Sequence, residues 1–318
     1  MINESLKVGL IGLGRMGQNH FRVLSMLKGV DLSCVYDVDR DLAHRTAGPS
    51  GIVVAESLED MLPLVDAVVI ASPTITHAEY VEHIGNRIKK IFIEKPLAAT
   101  LEASERVRDF ARDQGLFVQV GFIERYNPAV QQIKRLYDKS DQVVSTDFIR
   151  TNKISARITD VDVITDLMIH DIDLALFLNG PVVAVAAHGV ADGPMIDFAS
   201  ALLTHTNGRF SRILASRITD KKMRSVQGTC RDMFIDCDLL RKEIKLSRQS
   251  EVVQRPGEPY TITAIEETLE VRPQEALLTQ LQAFVAACRT GNESDVPGAQ
   301  DGMAAMAICA QIQGAILG

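Results

Sequence analysis

The segment Gly12-Leu13-Gly14-Arg15-Met16-Gly17 constrains this chain more than any other. It follows an apolar run, residues 6–11, and opens a helix-like stretch. A second apolar run ends on Asp37, 20 positions after Gly17. A lone G-x-G-x-x-G occurs in many turns. Strand, glycine turn, helix, strand and acidic residue, in that order within one βαβ unit, point to a dinucleotide site. Gly12 permits the tight turn, Gly14 lets the backbone approach a pyrophosphate, and Gly17 lets helix and strand pack closely. The helix N-terminus then offers unpaired N–H donors and the positive end of its dipole to the phosphates. The competing reading is a structural turn in another kind of α/β protein.

The rhythm continues through the first 120 or so residues. Short Val- and Ile-rich runs at 6–11, 32–37, 67–71, 91–94 and 117–120 read as strands buried between helix layers. Helices are expected at 16–27, 76–87 and 101–113, the last capped by Thr100 and ended by Gly115. This is a Rossmann-type doubly wound parallel sheet. The pattern changes after Gly121. A helix at 128–137, a strand at 143–150, a polar loop at 151–162 and a helix at 164–178 are followed mainly by strands, at 182–190, 196–205, 210–217, 226–229, 233–237 and 243–247. Asn207-Gly208 marks a hairpin between two of them. A surface loop at 254–259 and helices at 274–289 and 299–316 complete the chain. The expected architecture is therefore α/β: a dinucleotide-binding domain over 1–121, then an α+β domain over 122–318 with a largely antiparallel, open-faced sheet. Residues 182–190 are apolar at nearly every position, which suggests a sheet covered on both faces, with a second subunit as the other cover. A homodimer or homotetramer through that sheet is expected.

The 318 residues leave room for two domains with their own cores. Charged residues are 24% and hydrophobic ones 46%, as in an ordinary globular protein. A net charge of −7 gives no footing for nucleic acid or an anionic membrane surface. No apolar run is long enough to span a bilayer, and the first strand begins too close to Met1 to leave a signal peptide. Cys34, Cys230, Cys237, Cys288 and Cys309 form no C-x-x-C pair or Cys/His cluster. They read as reduced, mostly buried thiols of a cytoplasmic protein, with no metal site.

Two groups suggest chemistry. Glu94-Lys95-Pro96 closes a parallel strand, at the end where open α/β sheets bind ligands. The proline rigidifies the turn and aims Lys95 at the cleft; the alternative is a surface lysine. In Asp166-Leu167-Met168-Ile169-His170-Asp171-Ile172-Asp173, a helix brings Asp166, His170 and Asp173 to one face. Flanking carboxylates set a histidine's tautomer and charge, which suits a proton carrier near neutral pH. A core histidine satisfied by a carboxylate is the alternative.

Together with Ala71-Ser72-Pro73 and His77, these motifs make the chain resemble the glucose–fructose oxidoreductase, inositol dehydrogenase and rhizopine-catabolism (Gfo/Idh/MocA) oxidoreductases along nearly its whole length. The resemblance implies catalytic roles for Lys95, Asp166 and His170, facing the nicotinamide and the reacting carbon, and a cis bond between Lys95 and Pro96. It implies cofactor contacts from Gly12, Gly14, Arg15, Met16, Gly17, Asp37, Arg40, Ser72, Pro73, Thr74, His77, Glu94 and Lys95. The segment 121–128 is similar to a branch that oxidises the 3-hydroxyl of UDP-N-acetylglucosamine, which usually carries histidine where this chain has Phe122. Arg125, Tyr126, Asn127, Arg157 and Asp173 become substrate-side candidates. Arg150, Lys153 and Arg157 could hold a diphosphate, or form a solvated basic loop; Arg125 could instead pair with Glu94 or Glu124.

The expected activity is reversible oxidation of a secondary hydroxyl on a sugar or nucleotide-sugar. Asp37 can accept bonds from both ribose hydroxyls and repels a 2′-phosphate, which favours NAD over NADP, with Arg40 nearby as the contrary signal. Inositol or free-sugar oxidation, reduction of an unsaturated bond or carbonyl, and a non-catalytic dinucleotide-binding regulator are the rival readings. His20 reads as a packing or exposed residue, His77 as part of the nicotinamide pocket, and His188 and His205 as ordinary sheet residues.

Overall fold

Buried, β-branched runs separated by amphipathic helices build the first half of the protein. The computed structural model describes residues 5–153, 161–248, 252–253, 261–262 and 265–318. They form two units, Met1–Ile123 with Glu275–Ala307, and Glu124–Gln274 with Ile308–Gly318. In the first unit, β1 (Leu6–Ile11), α1 (Arg15–Met26), β2 (Val30–Tyr36), α2 (Arg40–Ala47), β3 (Val53–Val54), α3 (Leu58–Met61), β4 (Ala67–Ile70), α4 (His77–Ile84), β5 (Lys90–Glu94), α5 (Leu101–Gln114) and β6 (Phe117–Gly121) follow one another. The strands pair in the order β3-β2-β1-β4-β5-β6, all parallel. The order reverses direction between β1 and β4, and ligands in such sheets bind at the strand C-termini beside that reversal. Thr100 caps α5 by accepting the Ala103 N–H at 3.1 Å, and Gly115 ends it in a left-handed conformation.

The first unit ends at Ile123 and takes up the chain again at Glu275. α8 (Ala276–Thr290) groups with the first unit. Its fully buried Phe284 stacks on Phe117 of β6 and meets Phe92 of β5 edge-on, at centroid distances of 5.6 and 5.7 Å. Deleting a buried ring of this kind costs about 3–5 kcal/mol, so the contact is a large part of what holds α8 in place. The last helix, α9 (Ala299–Leu317), contributes residues to both units.

The second unit contains α6 (Pro128–Asp138), β7 (Val143–Thr151), a π-helical turn (Ile164–Met168) that runs into α7 (Ile169–Asn179), and β8 (Val182–Asp192), β9 (Met195–His205), β10 (Phe210–Ser216), β11 (Met223–Cys230), β12 (Met233–Asp238) and β13 (Glu243–Arg248). Two-residue strands β14 (Val252–Val253) and β15 (Thr261–Ile262) pair as a ribbon, and β16 (Ile265–Leu269) joins the main sheet. That sheet has the order β16-β13-β12-β11-β7-β10-β9-β8 and is antiparallel except where β7 and β10 pair in parallel. Gly208 sits at φ 80° in the β9–β10 hairpin that Asn207-Gly208 predicts.

One face of this sheet is buried: Leu203, Ile213, Phe148, Val226, Ile235 and Ile244 have less than 1% exposure or close to it. Tyr137 of α6 reaches that face and bonds Thr146 at 2.9 Å. The other face carries exposed Leu202, Phe210 and Phe234 beside an Arg212–Asp147 ion pair. The expectation that strand 182–190 is covered on both faces is not met within one chain. β8 is an edge strand, and Val183 and Val190 are 64% and 57% exposed. The expected loop at 254–259 lies outside the described residues.

Candidate active site

In the first unit, the glycine run makes a cradle whose geometry explains each glycine separately. Gly12 has φ 88°, and a Cβ there would stand 2.7 Å from the backbone of Ala71 and Ser72. A Cβ on Gly17 would stand 2.0 Å from the carbonyl oxygen of Gly12, so only glycine lets α1 start this close to the turn. A Cβ on Gly14, by contrast, would meet nothing within 4 Å. The backbone there faces open space. Arg15 and Met16 are exposed beside it. No side chain caps α1 and no acidic residue lies in its first turn, so its leading N–H groups are left for an anion.

Asp37 follows β2 and braces this turn. Its Oδ2 accepts the Leu13 N–H at 2.6 Å and its Oδ1 accepts the Asp39 N–H at 2.8 Å. A cleft of about 100 Å³ opens beside it, lined by Ile11, Gly12, Tyr36, Asp37, Val38, Ser72, Pro73, Thr76 and Tyr80. Arg40 turns to Glu56, pairing with its carboxylate and donating to its carbonyl at 3.2 Å. A larger cleft, about 620 Å³, is lined by Lys7, Arg87, Lys89, Lys90 and Arg289 at the opposite ends of β1 and β5. Those are the wrong strand ends for a dinucleotide.

The 72–77 and 94–97 segments are tied together. The buried His77 ring places Nδ1 2.9 Å from Pro96 O and Nε2 3.1 Å from Ser72 O. Burial pushes its pKa down, against the pull of those carbonyls and of Glu94. Ser72 and Thr76 share a 2.8 Å hydroxyl bond, and Thr74 opens the same turn. The Lys95–Pro96 bond is cis, and Lys95 is partly exposed. His20, read from sequence as a packing or exposed residue, is fully buried and lies 2.6 Å from Glu94 Oε1. Glu94 Oε2 accepts the Lys95 N–H at 3.3 Å. The residue before the candidate lysine is thus anchored under α1, a link that only tertiary contact reveals.

In the second unit, Asp166 lies within the π-helical turn and His170 follows as α7 begins. Such wide turns are rare and recur at functional sites. Both residues are partly exposed. Asp162 starts the turn: its Oδ1 accepts the Thr165 N–H at 2.9 Å and its carbonyl accepts the Asp166 N–H at 3.1 Å.

Of the three basic residues considered for a diphosphate, Arg150 and Lys153 are engaged by carboxylates. Arg150 lies on the face of β7 that carries Phe148 and Thr146, and it is completely buried. It holds Asp171 through two bonds, 2.8 and 2.7 Å, and Glu124 through a third, 3.0 Å. Arg224 approaches the same Glu124 at 3.5 Å. Burial pushes Glu124 up, but the charge and hydrogen bond of Arg150, with Arg224 and Asn127, hold its carboxyl below the usual range. Lys153 pairs with Asp220 at the surface, and Arg157 lies outside the described residues. Arg125 grips Asp173 with bonds of 2.6 and 3.0 Å, a partner other than the Glu94 or Glu124 considered from sequence. Its guanidinium also covers Phe177 at 5.1 Å. Asn127 caps α6 and bonds Glu124 at 3.2 Å, and Tyr126 is buried. His205 is more than an ordinary sheet residue: its ring bridges Gly180 O and the Ser211 hydroxyl, both at 2.7 Å.

All five cysteines are buried thiols outside any disulfide. Burial pushes Cys34 up to about 11 and Cys237 and Cys288 up to about 12, which leaves them unreactive at neutral pH. Among the described residues no group of His, Cys, Asp or Glu is arranged to hold a metal, and no helix is long and apolar enough to cross a membrane.

Comparison with known proteins adds the following. Residues 6–122 match the family described as "Oxidoreductase family, NAD-binding Rossmann fold" (GFO/IDH/MocA), and residues 148–231 match its C-terminal domain. The chain is 28% identical to UDP-N-acetylglucosamine 3-dehydrogenase of Acidithiobacillus ferrooxidans, over 89% of this chain and 88% of that one. It is 30% identical to scyllo-inositol 2-dehydrogenase (NAD(+)) of Bacillus subtilis, over 68% of each chain. The solved structure of the Acidithiobacillus ferrooxidans enzyme superposes with a TM-score of 0.87 at 26% identity, covering 99% of this chain and 98% of that one.

Proposed function

The chain belongs to the Gfo/Idh/MocA family of oxidoreductases, and from that premise we propose that it oxidises the 3-hydroxyl of UDP-N-acetylglucosamine with NAD. The observation that carries this reading is the likeness, along nearly the full length of both chains, to an enzyme of that name, with Lys95, Asp166 and His170 all present in the sequence. His170 takes the hydroxyl proton as general base. Asp166 orients the imidazole and stabilises its charged form. Lys95 donates a hydrogen bond to the developing alkoxide. Bound NAD supplies the hydride acceptor, the C4 of its nicotinamide. Gly12, Gly14 and Gly17 with the open end of α1 hold the pyrophosphate, and Ser72, Pro73, Thr74 and His77 shape the cleft beyond it.

The screen that tests this reading follows NAD reduction with UDP-sugars, inositols and free hexoses, with a coupled aminotransferase to remove a 3-keto product. A signal with UDP-N-acetylglucosamine supports it. A signal confined to inositols replaces it with the reading that the Bacillus subtilis relative favours.

The preference for NAD rests on Asp37, held against the glycine turn, and on Arg40, whose charge is engaged by Glu56. The kcat/KM for NAD is expected to exceed that for NADP by about tenfold or more, since one extra like-charge contact costs on the order of 1 kcal/mol or more near a protein surface. Asp37→Asn, which removes the charge and keeps the shape, narrows the ratio; a wild-type preference for NADP overturns the assignment.

The open sheet face, with Leu202, Phe210 and Phe234 exposed beside edge strand β8, supports assembly of two or four chains through this surface. Light scattering should give a mass of at least two chains, and Leu202→Asp with Phe210→Asp should lower it. A wild-type monomer at micromolar concentration contradicts the assembly.

A further inference from the structure

The carboxylate proposed to orient His170 has a partner that the sequence does not announce. Arg217 follows β10, and its side chain is only 4% exposed. A guanidinium buried to that depth needs a counter-charge and acceptors for its donors. It finds them on the π-helical turn. Nη2 donates to the carbonyl of Asp162 at 3.0 Å and lies 3.3 Å from Asp166 Oδ2, while Nη1 reaches Met195 Sδ at 3.8 Å. One side chain thus holds both the backbone that starts the turn and the carboxylate it presents. The same turn is held from α9: Gln313 Nε2 donates to Asp162 Oδ2 at 2.8 Å and to Thr165 Oγ1 at 3.2 Å. The backbone N–H of Arg217 is itself fixed on Asp197 O at 2.9 Å. The clamp therefore springs from a rigid sheet.

We propose that Arg217 is a positioning residue for the reaction, fixing the π-helical turn and the Asp166 carboxylate so that His170 is presented in one orientation. This rests on the reading that Asp166 and His170 handle the proton. A fixed rotamer matters because small misplacements of a reacting group cost large factors in rate. The planar fork suits a carbonyl and a carboxylate together, whereas a lysine in its place offers a point charge without the fork.

The test is a double-mutant cycle on kcat with UDP-N-acetylglucosamine and NAD, using Arg217→Met, Asp166→Asn and the pair. Arg217→Met should lower kcat about 10- to 100-fold, with sugar KM and NAD Kd changed by no more than about threefold. If Arg217 acts through Asp166, the double variant is no slower than Asp166→Asn alone. Arg217→Lys should recover part of the loss, and it takes the place of Arg217→Met in the cycle if the latter does not fold. Multiplying effects in the cycle, or a kcat within about twofold of wild type for the Arg217 variant, overturns the proposal. Asp166→Asn separates the two levels. Full activity in that variant removes the underlying reading and this inference with it, whereas an inactive Asp166→Asn beside an unimpaired Arg217 variant removes this inference alone.

Discussion

His170→Ala is expected to lower turnover by about 10²- to 10⁴-fold, the usual contribution of a positioned general base, while NAD affinity stays nearly unchanged. The cradle proposed for the dinucleotide, at Gly12, Gly14, Gly17 and Asp37, lies in the first unit, and His170 belongs to the second. A loss in kcat and kcat/KM alike, without a change in NAD Kd, marks an interaction made in the transition state. Full activity in the variant removes His170 from the chemistry. Lys95 is the competing base, since a desolvated amine can have a depressed pKa. The pH–rate profile of His170→Asn discriminates: loss of the acid limb identifies the histidine, and its persistence identifies the lysine.

Arg150→Met is expected to destabilise the fold by about 3–5 kcal/mol, the range for removing one partner from a buried ion pair. Arg150 is completely buried, and its Nε and Nη2 donate to Asp171 and its Nη1 to Glu124. Methionine replaces only the aliphatic stem and leaves two buried carboxylates without their guanidinium, with Arg224 3.5 Å from Glu124. Chemical denaturation of both proteins across pH tests the Glu124 part of this network, since burial pushes the Asp171 carboxyl up instead. Arg150 helps hold the Glu124 carboxyl below its unfolded value. A lowered folded-state pKa contributes stability that is complete above the unfolded carboxylate pKa and is lost as pH falls through the folded one. Wild type should therefore lose this contribution on acidification, and the gap to Arg150→Met should shrink. Equal stabilities at neutral pH would contradict the ion-pair account.

Local geometry was legible in the sequence where it depends on a few neighbouring residues. Gly12 and Gly17 stand where the turn and the helix start leave no room for a Cβ, and Gly14 faces open space, all within one short segment. Thr100, Gly115 and Asn207-Gly208 marked their cap, stop and hairpin for the same reason. α2 and β3 escaped because the first carries few apolar residues and the second is two residues long. That α8 groups with the first unit has no local sign, because the packing of Phe284 on Phe117 and Phe92 spans more than 160 residues of chain.

Charged residues were the least legible. Arg150 looked like a basic loop residue, yet it alternates with Thr146 and Phe148 along β7, and that period-two pattern was the available signal for a buried side chain. His20 and Glu94 are 74 positions apart and carry no local sign of their contact. Arg217 is paired with Asp166 across 51 positions, at the end of a strand that reads as ordinary. Pattern reading treats a charge as solvated by default. Among the exceptions, Glu94 precedes Lys95 in the first unit, and in the second Arg217 pairs with Asp166 while Arg150 pairs with Asp171, next to His170.

The most direct test of the central claim follows the hydride itself. UDP-N-acetylglucosamine carrying deuterium at C3 is incubated with the protein and NAD, and the reduced cofactor is examined by NMR. The account predicts one deuterium at C4 of the nicotinamide for each NADH formed, slower turnover than with the protium substrate, and near-complete loss of the product with His170→Ala. Reduced cofactor without deuterium, or no reduction with this sugar, inositols or hexoses, would contradict it.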